Sequence, residues 1–146
     1  MNTDEAAKDG WRRYDAQMKF YEHILSDVMN EAEAAGISPR QKMKLELGIE
    51  EIAVNIINYA YDDPGYMWVK TAKNGDFFRV EFADHGKKFD PLAKDMRPNG
   101  GKVSLNQEPG GYGIFLVKKN FAAVSYLYEE MFGKFANHLT MEISLS

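Results

Sequence analysis

The sequence predicts an α/β protein of the α+β kind, a two-layer sandwich whose mixed, mostly antiparallel sheet carries helices on one face. Three observations predict it. Up to about Tyr61 the apolar residues recur at the three-to-four spacing of buried helix stripes. Beyond Tyr66 the pattern changes largely to the alternation of half-buried strands. The strand-like segments also come as two consecutive hairpins, which argues against a doubly wound parallel sheet. A sheet with helices packed on one face is the expected way to bury both patterns. The chain of 146 residues is long enough for one domain with a sizeable core and short for two, so residues 1–146 are read as a single domain.

Residues Met1 to Gly10 are polar and are expected to be disordered. From Trp11 onward, Tyr14, Met18, Tyr21, Leu25, Val28, Met29 and Ala32 mark one side of a long amphipathic helix. Gly36 suits the left-handed position after its end near Ala35. Ser38-Pro39-Arg40-Gln41 restarts a helix: Ser38 caps, Pro39 fits the first position, and Gln41 can reach back to close a capping box. That second helix runs from about Pro39 to Tyr61, and Asp62-Asp63-Pro64-Gly65 turns the chain. Tyr66 to Ala72 and Asp76 to Ala83 read as strands joined at the hairpin signal Asn74-Gly75, with Phe78, Val80 and Phe82 on one face. Asp84 to Pro109 has no steady period and reads as a long loop with a short helical turn near Leu92 to Met96. Loops of that length in compact domains are usually functional or disordered. Gly110-Gly111-Tyr112-Gly113 leads into a short helix from Ile114 to Asn120. Two strands close the chain, about Ala123 to Glu129 and Asn137 to Leu145, with Leu139, Met141, Ile143 and Leu145 alternating and Gly133 between them.

Composition removes several classes of function. The net charge of −4 without a long basic run disfavours direct nucleic-acid binding, because phosphate neutralisation needs clustered Lys and Arg. The absence of cysteine excludes disulfides, thiolate zinc sites and cysteine nucleophiles. No apolar run approaches the roughly 18 residues of a membrane span, and no signal-peptide core opens the chain. The expectation is a soluble cytoplasmic domain.

Three stretches carry candidate chemistry. Glu51 and Asn55 lie one turn apart on one face of the second helix. Asn55 can supply the single side-chain oxygen that a magnesium ion takes alongside waters and phosphate oxygens. Glu51 can accept a proton from an attacking hydroxyl. Glu50 is offset by five residues from Asn55 and turns off that face. The competing reading is a core Asn bonded to loop backbone, with Glu51 on a solvated face.

Asp84-His85-Gly86-Lys87-Lys88-Phe89-Asp90-Pro91 follows a strand, where Asp84 can accept from an exocyclic amine and Gly86 lets backbone approach a flat ring. Alternatively Asp84 merely ends a strand and Phe89 plugs the core. Gly110, Gly111 and Gly113, just before a helix, let backbone N–H groups converge on an anion, or serve as a hinge with close helix packing. His23, His85 and His138 lack ligand spacing.

Taken in order, these boxes resemble the GHKL ATPase superfamily, and within it the anti-sigma-factor serine/threonine kinases. Glu51-Ile-Ala-Val-Asn55 matches a Glu-x-x-x-Asn box, with Tyr61 near its aromatic end. Asp84-x-Gly86-x-x-Phe89-Asp90-Pro91 matches the adenine-side box, and Gly111-x-Gly113-Ile-x-Leu-Val the second glycine box. The resemblance covers roughly Arg40 to the C-terminus and implies a histidine-kinase-like ATPase fold with ATP and Mg2+ as cofactors. By it, Glu51 is the catalytic base and Asn55 the metal ligand. Asn55, Asp84, Gly86, Phe89, Gly110, Gly111 and Gly113 bind the cofactor, Asp84 reading adenine, and residues 91–110 form the ATP lid. The implied function is phosphorylation of an anti-sigma-factor antagonist, with a sigma factor as a further partner and a homodimer as the assembly. A nucleotide-regulated protein-binding switch with little catalysis is the alternative. Two departures stand out. The opening strand usual in the family is missing or very short, and Tyr59 stands where relatives often carry His.

Overall fold

The computed structural model describes residues 9–94 and 111–146. The elements are β1 (Arg12–Asp15), α1 (Tyr21–Ala34), α2 (Pro39–Tyr59), β2 (Tyr66–Asn74), β3 (Phe77–Asp84), α3 (Gly111–Asn120), β4 (Ala123–Met131) and β5 (Lys134–Ser144), with 3-10 turns at Met18–Phe20 and Pro91–Lys94. The strands form one five-stranded sheet in the order β1-β2-β3-β5-β4. Every pairing is antiparallel, so the sheet expected to be mixed is wholly antiparallel among the described residues. The expected α+β sandwich is what forms.

The register puts Met67, Val69, Phe78, Val80, Phe82, Leu139, Met141 and Ile143 on one face, all fully buried or nearly so. Against them pack Ile24 and Val28 of α1, Leu45, Ile49 and Ile52 of α2, and Ile114 and Val117 of α3. Each is placed by the helical period, so helix stripe and strand alternation meet in one core. On the opposite face Trp11, Trp68 and Phe132 make a small separate cluster, the last two stacked with centroids 4.5 Å apart. No helix among the described residues is long and apolar enough to cross a membrane.

The long first helix is corrected. Its N-terminal third is instead the four-residue strand β1 and a 3-10 turn, and α1 begins at Tyr21. Tyr14 lies opposite Met67, and its hydroxyl donates to Asp27 of α1 at 2.7 Å. A short edge strand has too few residues to show a period of its own, and pairing with β2 overrides the local helix signal. The opening strand is therefore present and very short. Helix α1 stops as expected, with Gly36 left-handed at φ 91°.

Helix α2 starts at Pro39, and Ser38 Oγ accepts from Gln41 N at 3.3 Å. The box is not reciprocal, because the Gln41 side chain instead donates to the Ser144 carbonyl at 3.0 Å and ties α2 to β5. Helix α2 ends at Tyr59 rather than Tyr61. Helix α3 starts at Gly111 rather than Ile114, so Gly113 lies inside its first turn. The expected disorder of residues 1–10 falls on residues 1–8, which lie outside the described residues, and on Asp9-Gly10, a described turn. The expected lid over 91–110 is described only through the turn Pro91–Lys94; 95–110, including Gly110 and Met96, lie outside.

Candidate functional site

Helix α2 is the spine of the site. Asn55 Nδ2 donates to Glu51 Oε1 at 3.0 Å, and among the described residues no hydrogen bond uses its Oδ1, which is left as a spare acceptor. Both side chains are half-buried. The bond is the one-turn contact expected from the spacing, and Glu50 does not share it. Burial pushes the Glu51 carboxyl above its ordinary range, and repulsion from Glu50 adds to this against the lowering effect of Asn55. A carboxylate held ready to take a proton suits a general base.

The other Glu51 oxygen, Oε2, faces α3. A Cβ built on Gly113 would overlap the Glu51 carboxylate, so any larger residue here would push that carboxylate out of its present position. Between α2 and α3 runs a groove of about 320 Å³ lined by Leu47, Glu50, Glu51, Asn55, Tyr59 and Gly113, among others. The first N–H groups of a helix lack partners within it, and together with the helix dipole they make the α3 end of the groove favourable for an anion. Gly111 is the first residue of that helix.

Asp84 is the last residue of β3, 5% exposed. Its Oδ1 accepts from Gly86 N and from Asn137 Nδ2, both at 2.9 Å. Burial pushes its carboxyl up, and the Asn137 and Gly86 hydrogen bonds pull the other way. The loop after Asp84 is fixed to the end of α2 by Tyr61, whose hydroxyl accepts from His85 N at 2.7 Å and donates to the Tyr66 carbonyl at 2.6 Å. Burial pushes this phenol up to about 12.

A Cβ on Gly86 would overlap the carbonyl and side chain of Ala60, so contact with the end of α2 by itself requires glycine here. Phe89 is not a core plug: it is 44% exposed, and its N–H donates to Asn137 Oδ1 at 2.9 Å. Among the described residues no group of three or more His, Cys, Asp and Glu can hold a metal. Any ion at Asn55 would therefore take most of its ligands from elsewhere.

The structure thus lines up Glu51, Asn55 and Gly113 along the C-terminal half of α2, with Gly86 against its C-terminal end and Asp84 and Phe89 on either side of Gly86 in the chain. Sequence reasoning missed Asn137 and Tyr126, whose hydroxyl donates to Asn137 Oδ1 at 2.5 Å. A signal existed, because Asn137 is a polar residue continuing the inward stripe of Leu139, Met141 and Ile143.

A search of curated proteins returned no match. The profile of the histidine kinase-like ATPase domain matches residues 16–143, a span that contains all three boxes. Over that span the chain belongs to the histidine kinase-like ATPase domain family, and this membership makes ATP its nucleotide.

Proposed function

We propose that the protein is an ATP-dependent serine/threonine kinase of the anti-sigma-factor type, acting on an anti-sigma-factor antagonist in the cytoplasm. The observation that carries the reading is the joined pair Glu51–Asn55 set against Gly113 at the start of α3. Glu51 and Ala60 are nine positions apart, about 13 Å of helix axis at 1.5 Å per residue. That span suits a nucleoside triphosphate lying along α2, base toward Asp84 and terminal phosphate toward Glu51.

In this reading the hydroxyl of a substrate serine or threonine attacks the terminal phosphorus in line. Its O–P bond forms as the bond from phosphorus to the bridging oxygen breaks, ADP leaves, and the hydroxyl proton passes to Glu51. The N–H groups at the start of α3 face the phosphates, where they stabilise charge without reorganising. Asn55 Oδ1 would hold a magnesium ion as one oxygen ligand, and such an ion would supply charge neutralisation for the transferred group. The preference for a serine/threonine acceptor and for an antagonist protein rests on the resemblance of the boxes.

Labelled ATP incubated with the protein and an antagonist domain is the test. Label on a serine or threonine of the antagonist, lost with Glu51→Gln while ATP still binds, is the expected result. ATP and partner binding without transfer in the wild type would leave a nucleotide-regulated binding module instead.

A further inference from the structure

Asn137 occupies a position in β5 where alternation calls for an apolar side chain, and it is 8% exposed. A buried amide is costly unless its hydrogen-bonding capacity is used. Here both ends are engaged. Oδ1 accepts from Phe89 N at 2.9 Å and from the Tyr126 hydroxyl at 2.5 Å. Nδ2 donates to Asp84 Oδ1 at 2.9 Å and to the Lys87 carbonyl at 2.8 Å, with the Gly86 carbonyl at 3.5 Å.

The partners leave no freedom to flip the amide. A backbone N–H can only donate, so the atom facing Phe89 N is the oxygen. A backbone carbonyl can only accept, so the atom facing Lys87 O is the nitrogen. Asp84 Oδ1 therefore meets two donors, the Asn137 amide and the Gly86 N–H. Among the described residues no hydrogen bond reaches its second oxygen, Oδ2.

We propose that Asn137 sets the base selectivity of the nucleotide site by holding Asp84 as an acceptor-only group. Oδ2 then takes an exocyclic amine and rejects a carbonyl at the same ring position. The inference rests on the nucleotide reading above and adds to it the residue that makes Asp84 discriminating. Without the Asn137 donor, a buried carboxyl keeps one backbone N–H as its main support and burial drives it toward its neutral form. A neutral carboxyl donates, and a donor accommodates the carbonyl of a 6-oxopurine.

The test compares ATP with inosine triphosphate, which carries a carbonyl in place of the amine. Binding is measured by calorimetric titration from pH 5.5 to 8. The wild type is expected to prefer ATP by on the order of 100-fold, with a ratio flat in pH, since a mismatched buried polar group costs about 1–3 kcal/mol. Asn137→Ala is expected to reduce the ratio to about 10-fold or less, most strongly at the acid end. Asn137→Thr, which keeps a hydroxyl donor, is expected to restore most of it. A purely structural Asn137 would weaken both nucleotides alike and leave the ratio unchanged, which overturns the proposal. If Asn137→Ala does not fold, the wild-type pH series still decides, because a ratio collapsing toward pH 6 contradicts an acceptor-only Asp84. Equal affinity for the two nucleotides in the wild type overturns this inference alone. No binding of either removes the nucleotide reading with it.

Discussion

Asn137 and His138 are neighbours on β5 that face opposite sides of the sheet, and they satisfy their surroundings in opposite ways. Asn137, on the helix side, is neutral and works by geometry, joining Asp84, the 86–89 loop and Tyr126. His138, on the outer side, works by charge. Its Nε2 lies 2.9 Å from Glu81 Oε1 and its Nδ1 3.0 Å from Glu129 Oε2. Two ring nitrogens can donate to two carboxylates only in the imidazolium form. Hydrogen bonding to Glu81, reinforced by Glu129, accordingly raises the His138 pKa above its ordinary value, against the opposing effect of burial. The difference teaches that the strand separates two tasks. The helix side is held by a group that does not titrate, and the pH-sensitive link is kept on the far face of the sheet.

The largest break in this contrast is Asp84→Asn. It sets an amide against the Asn137 amide and removes the charged acceptor. ATP affinity is expected to fall roughly 100-fold, in line with the 1.5–3 kcal/mol of a hydrogen bond to a charged group. Calorimetric titration measures it, and an unchanged dissociation constant would mean that the inner network only braces the fold.

Next in size is Gly86→Ala. The new methyl group would meet the Ala60 backbone, which cannot swing aside, and a loss of about 2 kcal/mol is expected in urea unfolding. Gly113→Ala makes the opposite division. The atom it meets is the end of the Glu51 side chain, which can move, so stability should change by less than about 1 kcal/mol. Phosphoryl transfer should be largely abolished. A large stability loss in the second variant, or none in the first, would reverse these assignments.

These glycines mark how far the sequence could be read. Both helix stripes, the Asn74-Gly75 hairpin and the pairing of Glu51 with Asn55 were legible, because each is set by residues a few positions apart. Gly86 was legible as a glycine needed for a close approach, but its contact with Ala60 was not, since Ala60 comes against it only through folding. The helix signal at Trp11, Tyr14 and Met18 misled for the same cause, because β1 exists through its pairing with β2. Asn137 was overlooked because its partners are spread over Asp84, Lys87, Phe89 and Tyr126.

The outer face should show itself through pH. A raised histidine pKa stabilises the fold fully below the ordinary value of 6.5 and loses that stabilisation as pH rises through the folded value. Glu81 is lowered by its hydrogen bond and charge contact with His138, with burial opposing. Its contribution is present above 4.5 and is lost as pH falls through the lower folded value. The clamp is therefore strongest between about pH 4.5 and 6.5. His138→Gln should lose about 1–2 kcal/mol at pH 6, with the gap to wild type closing at alkaline pH. Urea unfolding across that range measures it. A gap independent of pH would show that His138 acts by packing against Trp11, 5.6 Å away, rather than by charge.

The smallest effect is expected at Tyr59, where the sequence leaves the family pattern. Its side chain is 68% exposed on the wall of the groove, and no hydrogen bond fixes it among the described residues. An exposed side chain without such a partner contributes little to folding, so Tyr59→His should change stability by less than about 0.5 kcal/mol. Its effect on ATP affinity should stay within about threefold, roughly 0.6 kcal/mol, because among the described residues no hydrogen bond joins it to Asp84 or Asn137. The same two titrations used for Asp84→Asn and Gly86→Ala read both numbers. A change approaching that of Asp84→Asn would place Tyr59 among the groups that touch the nucleotide, and would move the pH-insensitive network outward along α2.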